Sequence, residues 1–345
     1  MWQVIGQAAV SFLQHSLKAG ALAHAYLLVG PPHVGKMTLA LNLAQALNCQ
    51  AAERPCSECV PCRKIAAGTH ADVQVIGLTQ NEEAAEAKLI HTEQIKDMLH
   101  SANLPPFEGS YKVFIIDGAE LLSIEAANRL LKTLEEPVGK VVFVLLTVND
   151  SLLPATVVSR CQRLELPPLS TAAVASALTG WGIEPERARL LAGLSHGCPG
   201  WAISASTDAS RLKQRNEELD RLLGIITADG EERFAYAARL ATQFNQNRRL
   251  VHGVLELWLD YWRDLMLVKL GCGDTITNID RLDGLVEMAR GYRLAQIKAF
   301  IESIRAAAEQ LRQNANPRLV FEVLMLDIPK QEGGGDAKPL SVKYG

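Results

Sequence analysis

The chain has 345 residues, of which 48% are hydrophobic and 21% are charged, and its mean hydropathy is +0.06. This composition can form the cores of two or three domains, and it excludes disordered and collagen-like proteins. The 35 basic and 38 acidic residues give a formal net charge of −3, which argues against a nucleic-acid binder that relies on its own strong positive charge.

The N-terminal residues 1–20 have the pattern of an amphipathic helix and lack the basic segment and apolar block of a secretory signal. The longest apolar runs, such as 141–146, are far shorter than the ~20 residues needed to cross a bilayer. We therefore expect a cytoplasmic protein without a transmembrane helix.

The first half of the chain alternates apolar runs with helical periods. The apolar run 24–30 leads into the Gly-Pro-Pro sequence at 30–32, as a buried strand that enters a loop does. Residues 38–47 then place Leu and Ala repeatedly on one helical face. Three further runs rich in β-branched residues are predicted strands: 73–76, 112–117 and 141–147. The alternation predicts an α/β domain with a parallel, doubly wound sheet.

The helix between the last two of these strands has clear predicted ends. Ser123 is the expected N-cap, and Pro137 is expected to stop the helix. Farther along, Pro167 and Pro168 predict a domain boundary, after which strand-like runs give way to helical periods.

The second half of the chain is predicted to be helical. Residues 170–206 indicate a small helical module, and longer helices follow from Ala209. Trp258 and Trp262 lie with leucines on one helical face, which we interpret as a buried core rather than a binding surface. The Gly-rich end of the chain is expected to be a flexible tail.

Residues 30–36 match the phosphate-binding pattern G-x-x-x-x-G-K. Gly30 and Gly35 permit the backbone angles that turn N–H groups toward a phosphate, and Lys36 supplies a cation. Because a predicted strand precedes the pattern and a predicted helix follows it, the context is that of a true P-loop.

Parts that nucleotide hydrolysis requires are missing around this loop. Met37 stands where Ser or Thr would bind magnesium, and Thr38 is one helical position too late to replace it. Asp117 ends a strand as a Walker B carboxylate does, but Gly118 follows it instead of the usual Glu. Glu120 lies nearby without a reason to place it over a phosphate. ATP and magnesium binding is doubtful, and hydrolysis is not expected.

Four cysteines, Cys49, Cys56, Cys59 and Cys62, follow the pattern C-x6-C-x2-C-x2-C directly after the P-loop helix. This spacing suits a closed, structural zinc site of four thiolates. An iron-sulfur cluster and a metal-free cluster are alternatives, whereas disulfides do not fit a cytoplasmic protein. The remaining cysteines are isolated, and we predict that they are packing residues: Cys161, Cys198 and Cys272.

Several motifs taken together resemble the clamp-loader branch of the AAA+ ATPases. They are HAYLLVGPPHVGK, the four-cysteine insert, IIDGAELLSIEAANRLLKTLEEP, VVSRC and NANPRLVFEVLML. The resemblance covers essentially residues 1–328, and its LLKTLEEP and SRC motifs are far more specific than the P-loop pattern.

The resemblance implies a three-part architecture. A RecA-like AAA+ domain is expected at 1–168 with a zinc module at 49–62, a small helical lid at 169–208, an all-α collar that oligomerises at 209–328, and the tail at 329–345. It also implies a hetero-oligomer with the gamma or tau and delta subunits of bacterial DNA polymerase III, a DNA-directed DNA polymerase, and contact with the sliding clamp and primed DNA through that complex.

The departures from the family pattern fit a rigid, non-hydrolysing subunit better than a motor subunit. Motor subunits have a sensor 2 Arg in the lid, where this chain has Gly200, whereas Thr147 and Asn149 leave the sensor 1 feature undecided. Two other interpretations stay open. One is a self-sufficient ATPase of the gamma or tau type, and the other is a zinc-dependent DNA-binding adaptor outside replication.

The triplet Ser159-Arg160-Cys161 is intact. In the family, the Arg of this triplet reaches into the ATP site of the neighbouring subunit, where its charge stabilises the transferred phosphoryl group. An ordinary surface salt bridge is the alternative for Arg160. The resemblance implies that Arg160 contributes to catalysis at the ATP site of the neighbouring subunit.

Overall fold

The computed structural model describes residues 2, 4–78, 89–136 and 139–331. These residues divide into two compact units. The first contains the described residues up to Ala177 together with His196–Trp201, and the second contains Leu178–Ser195 and the described residues from Ala202 onward. Since this division does not test the predicted three-part architecture, that architecture stays a prediction.

The first unit contains a parallel five-stranded sheet with strand order β2-β3-β4-β1-β5. The strands are β1 (Ala25–Val29), β2 (Val73–Ile76), β3 (Lys112–Asp117), β4 (Val141–Thr147) and β5 (Gln162–Glu165). The predicted α/β fold with a parallel, doubly wound sheet is confirmed. Because all strands are parallel, the carboxyl ends of β1, β3 and β4 lie at one edge of the sheet.

Helices cover both faces of this sheet. Those wholly within the first unit are α1 (Ala8–Ala19), α2 (Lys36–Asn48), α3 (Val60–Ala66), α4 (Thr92–Ala102), α5 (Ile124–Glu135) and α6 (Ala155–Val158). Alternate residues of β3 enter different cores, with Phe114 in one and Ile115 in the other. The two-residue period of the strands therefore supplies two apolar layers.

The predicted start of α5 is confirmed, because the Ser123 hydroxyl accepts a hydrogen bond of 3.1 Å from the Ala126 N–H. The helix ends at Glu135, and its predicted stop, Pro137, lies outside the described residues. The strand β5 was not predicted. It is a sheet-edge strand in which Leu164 is the one buried residue.

Asp72 fixes the loop that precedes β3. Its buried carboxylate accepts hydrogen bonds from the backbone N–H groups of Phe107, Glu108 and Gly109 at 2.7, 2.8 and 2.7 Å. Burial alone would raise the pKa of Asp72, but these donors and His70 lower it below its ordinary value.

The second unit is helical. Its helices are α8 (Pro185–Leu194), α10 (Ala209–Thr227), α11 (Gly230–Gln246), α12 (Arg248–Lys269), α13 (Leu282–Arg290), α14 (Leu294–Arg312) and α15 (Pro317–Leu326), while α7 (Thr171–Gly180) and α9 (Pro199–Thr207) are divided between the units. Trp258 and Trp262 are fully buried in its core, as predicted. Across the described ranges, every helix is too short or too polar to span a membrane. Residues 332–345 of the predicted tail lie outside the described residues.

Candidate functional site

The loop from Gly30 to Lys36 connects β1 to α2, as the P-loop pattern predicts. A Cβ atom at Gly30 would lie 2.4 Å from the carbonyl oxygen of Leu166, so only glycine fits there. Gly35 has a φ of 109°, in the region that favours glycine, and it is the N-cap of α2. Both glycines are therefore required by the backbone path of the loop.

Lys36 bonds to its own loop. Its Nζ donates to the carbonyl oxygens of Gly30 at 2.5 Å and Pro31 at 2.8 Å. Burial lowers the pKa of Lys36, and the charges of Glu120 and Asp117 oppose that shift. A phosphate that entered this loop could bind the ammonium group only if the hydrogen bonds to these two carbonyl oxygens were broken.

Met37 and Thr38 follow Lys36 at the start of α2. Met37 is half-buried and packs against the apolar core on this side of the sheet. Thr38 is half-buried one residue farther along α2. The interpretation that a metal ligand is missing here stays a prediction.

Acidic groups gather at the carboxyl end of β3. Asp117 ends the strand as an exposed residue, yet partial loss of water around its carboxylate raises its pKa while the Lys36 charge opposes that rise. Gly118 adopts a left-handed φ of 77°, and the short 3₁₀ helix after it carries Glu120. The Oε2 atom of Glu120 is buried without a hydrogen-bond partner among the described residues. The sequence alone gives no reason to expect Glu120 at the phosphate-binding loop. In the structure, its carboxylate lies close enough to Lys36 to oppose the burial that lowers the pKa of that lysine.

The segment around Gly200 lies directly on the P-loop. The Gly200 N–H donates to the carbonyl oxygen of His33 at 2.9 Å. A Cβ atom at Gly200 would lie 2.8 Å from that oxygen, which is closer than real contacts allow. Burial raises the pKa of the nearby Cys198 thiol, and the Lys36 charge opposes that rise. At the position compared with the sensor 2 Arg, this backbone contact leaves no room for a side chain.

At the end of β4, Thr147 and Asn149 form hydrogen bonds with each other and with the turn that follows. The Thr147 hydroxyl donates to the carbonyl oxygen of Asn149 at 3.0 Å and accepts from the Asn149 N–H at 3.2 Å. The Asn149 side chain accepts from the Ser151 N–H at 3.0 Å. Both side chains therefore stabilise the turn after β4.

Arg160 lies apart from the P-loop and is held by α5 and α6. Its Nε and Nη2 atoms lie 2.8 and 2.5 Å from Glu135 Oε1, and Nη1 donates to the Thr156 carbonyl oxygen at 2.9 Å and to the Ser159 hydroxyl at 3.3 Å. The side chains of Arg160 and Glu135 are 34% and 50% exposed, so they form an ion pair at the surface, a contact compatible with both interpretations of Arg160. Burial raises the pKa of Cys161 to about 12, which makes it a packing residue rather than a nucleophile.

The four clustered cysteines come together as predicted. The sulfur atoms of Cys49, Cys56, Cys59 and Cys62 all lie within 4.8 Å of one another, and those of Cys49 and Cys59 are 3.9 Å apart. Tetrahedral zinc with bonds of ~2.3 Å requires sulfur atoms about 3.8 Å apart. The four thiols therefore fit a closed metal site. They also match the donor set of other tetrahedral thiolate sites.

The surroundings of the cluster favour the thiolate of Cys56 and disfavour that of Cys62. The N–H groups of Cys59 and Glu58 lower the pKa of Cys56 to about 6, whereas burial raises that of Cys62 to about 12. Behind the cluster, Gln45 Nε2 donates to the Cys62 carbonyl oxygen at 3.0 Å, which ties α3 to α2. This support of the ligand backbone is typical of structural metal sites.

The packing prediction holds for two of the other three cysteines. Cys198 is buried, and Cys161 is partly buried and packs against the core of the first unit. The prediction is wrong for Cys272, which is exposed on the turn after α12. Its neighbours Gly271 and Gly273 belong to a surface turn, where a small side chain needs no apolar surroundings.

Two family models match the chain. One described as "DNA polymerase III, delta subunit" matches residues 5–170, and one described as "DNA polymerase III, delta subunit, C terminal" matches residues 209–330. Together the matched segments include most of the chain.

Individual relatives carry related names. The chain is 26% identical to DNA polymerase III subunit delta' of Bacillus subtilis over 94% of this chain and 95% of that protein. It is 42% identical to subunit delta' of Pseudomonas aeruginosa, over 42% of this chain and 43% of that protein. It is also 26% identical to subunit tau of Bacillus subtilis over 94% of this chain, which spans only 60% of that longer protein.

Proposed function

Because the chain belongs to the family of DNA polymerase III clamp-loader subunits, we propose that it is a delta prime subunit. In this role it is a rigid support in an ATP-dependent complex that places the sliding clamp on primed DNA. It contributes Arg160 to the ATP site of a neighbouring subunit and hydrolyses little or no ATP itself.

One combination of features carries this proposal. The P-loop is present, but Lys36 bonds to the loop's own carbonyl groups and Met37 replaces the magnesium ligand. Arg160 stands on a partly exposed loop away from that site. A chain that has lost the parts for its own hydrolysis, while retaining an arginine suited to a charged phosphoryl group, fits a subunit that acts on a neighbour.

We infer that the four-cysteine cluster holds structural zinc. The sulfur separations fit tetrahedral coordination, and four thiolates leave no open position for substrate. A bound metal would supply a cross-link between the end of α2 and the start of α3. It would take no part in ATP chemistry, since a closed coordination shell has no site for a reacting group.

The partners in this proposal are the gamma or tau subunits, the delta subunit, and, through the complex, the clamp and DNA. The collar at 209–328 is assigned the main oligomer contacts. This assignment follows the match of residues 209–330 to the C-terminal family model.

A second candidate is a self-sufficient ATPase of the gamma or tau type. It is favoured by the 26% identity to tau over 94% of this chain and by the presence of Lys36 and Asp117. The missing Ser or Thr at position 37 and the missing Glu at position 118 oppose it.

The test is reconstitution with gamma or tau and delta subunits from the same organism. We expect Arg160→Ala to give a complex of normal composition with lower clamp- and DNA-stimulated ATPase and poorer clamp loading. The reduction is partial, because other ATP sites in the complex have their own arginine donors. Arg160→Lys is also expected to be defective, since an ammonium group lacks the planar fork of guanidinium. An Arg160→Ala complex with the wild-type rate would refute the trans role.

A further inference from the structure

We propose that Glu135 is a positioning residue for Arg160: its carboxylate holds the guanidinium group in the conformation presented to the neighbouring subunit. This inference rests on the proposed function, because it takes Arg160 to act at a neighbour's ATP site. Neither the P-loop pattern nor the SRC triplet assigns a role to Glu135.

The contacts determine which donors of Arg160 are used within the chain. Glu135 Oε1 accepts a hydrogen bond from Nε at 2.8 Å and forms an ion-pair contact of 2.5 Å with Nη2. On the other side, Nη1 donates to the Thr156 carbonyl oxygen at 2.9 Å and to the Ser159 hydroxyl at 3.3 Å. Guanidinium has five N–H donors, two of them on Nη2. Among the described residues no acceptor is aligned with an Nη2 N–H group, so Nη2 can donate to an acceptor outside the chain.

Hydrogen bonds hold the backbone at Arg160 and next to Glu135. Glu135 follows Leu134, which is buried and whose carbonyl oxygen accepts a hydrogen bond from His24 Nε2 at 2.8 Å. On the arginine side, the Arg160 N–H donates to the Val157 carbonyl oxygen at 3.1 Å. The ion pair thus joins two fixed segments, the end of α5 and the turn after α6.

The exposure of Arg160 is the reason such a contact matters. An arginine side chain that is 34% exposed would sample many rotamers without a partner, and few of them would direct Nη2 in one direction. Exposed ion pairs change an equilibrium by about 1.5- to 5-fold. We therefore expect Glu135 to change the Arg160-dependent rate by a factor in this range.

The experiment uses the reconstituted complex and first defines the portion of its ATPase that Arg160→Ala removes. Glu135→Ala should remove about one third to four fifths of that portion, which corresponds to a 1.5- to 5-fold decrease. Glu135→Gln keeps an oxygen acceptor and should restore part of the loss. Glu136→Ala is the matched control, because it removes the same charge at the next residue, where the described residues show no contact with Arg160.

A double variant separates positioning from a general structural effect. If Glu135 acts through Arg160, the Glu135→Ala/Arg160→Ala complex should have the same ATPase as Arg160→Ala alone. A further decrease in the double variant would overturn the inference, as would a Glu135→Ala rate equal to or above wild type while Arg160→Ala remains defective. If Arg160→Ala itself has no effect, the proposed function fails, and that result is distinguishable from failure of the positioning role alone.

Discussion

Replacing Cys59 by Ser tests the metal site most directly. Cys59 Sγ lies 3.9 Å from Cys49 Sγ, and all four sulfur atoms lie within 4.8 Å of one another, so each can contribute one bond to the same ion. Structural zinc sites in small peptides bind with about 10–16 kcal/mol. If four thiolates share this energy equally, losing one costs about 2.5–4 kcal/mol, or roughly a 100- to 1,000-fold weaker affinity.

The assay combines metal content with metal-dependent stability. Wild-type protein should contain one zinc per chain and no iron, and competition with a chromophoric chelator should show the weaker binding by Cys59→Ser. Thermal unfolding should occur at a lower temperature in the variant, because metal bound only to the folded state stabilises it. Cys272→Ser is the matched control, since Cys272 is exposed and lies outside the cluster.

Three results would refute this reasoning. Iron in the purified protein would identify a different metal centre. Folded protein with no metal and four freely titrating thiols would show that the cluster is not a metal site. Equal zinc affinity in Cys59→Ser and wild type would show that Cys59 is not a ligand.

Three further predictions concern the P-loop, the Gly200 contact and Asp72. The isolated chain should bind ATP weakly or not at all and should not turn it over, so steady hydrolysis abolished by Lys36→Ala would instead support the self-sufficient ATPase. Gly200→Ala should lower stability by about 1–3 kcal/mol in thermal unfolding, because its Cβ would lie 2.8 Å from the His33 carbonyl oxygen. The control Gly253→Ala, in α12 with open space around its Cβ, should be neutral or stabilising, and equal effects of the two would contradict the contact argument. Asp72→Ala should cost about 3–5 kcal/mol in urea unfolding, because three backbone N–H groups lose a charged acceptor. Since the folded-state pKa of Asp72 lies below its unfolded value of about 3.9, this stability is complete above that pH and is lost as pH falls through the folded-state pKa. A variant with the same acid-unfolding profile as wild type would contradict that assignment.

Features encoded by neighbouring residues could be predicted from the sequence. The strands β1, β3 and β4 contain continuous apolar runs, and β2 is rich in β-branched residues. The N-cap Ser123 and the two C-x2-C spacings are likewise local patterns with local physical causes. The strand β5 could not be predicted because its sequence Gln-Arg-Leu-Glu is polar except for Leu164, its one buried residue. A single apolar residue cannot show a period.

The parts of the site that could not be predicted depend on contacts between distant residues. Gly200 touches His33, which is far from it in the sequence, and Glu135 meets Arg160 from a different helix. The missing sensor Arg was visible in the sequence, but the steric reason for glycine was not. Glu120 was noticed only as a neighbour of Gly118, because its burial near Lys36 depends on the turn that follows β3.

The P-loop's internal bonding has a consequence for timing within the complex. A ligand changes a protein's conformation only by the difference between its affinities for two conformations. In this chain Lys36 and the His33 carbonyl already have partners from within the first unit. Contacts within the first unit therefore hold the loop's conformation. In the proposed role, the subunit would offer its neighbours the same surface while they pass through successive nucleotide states, and the order of events in the cycle would be set by those partners.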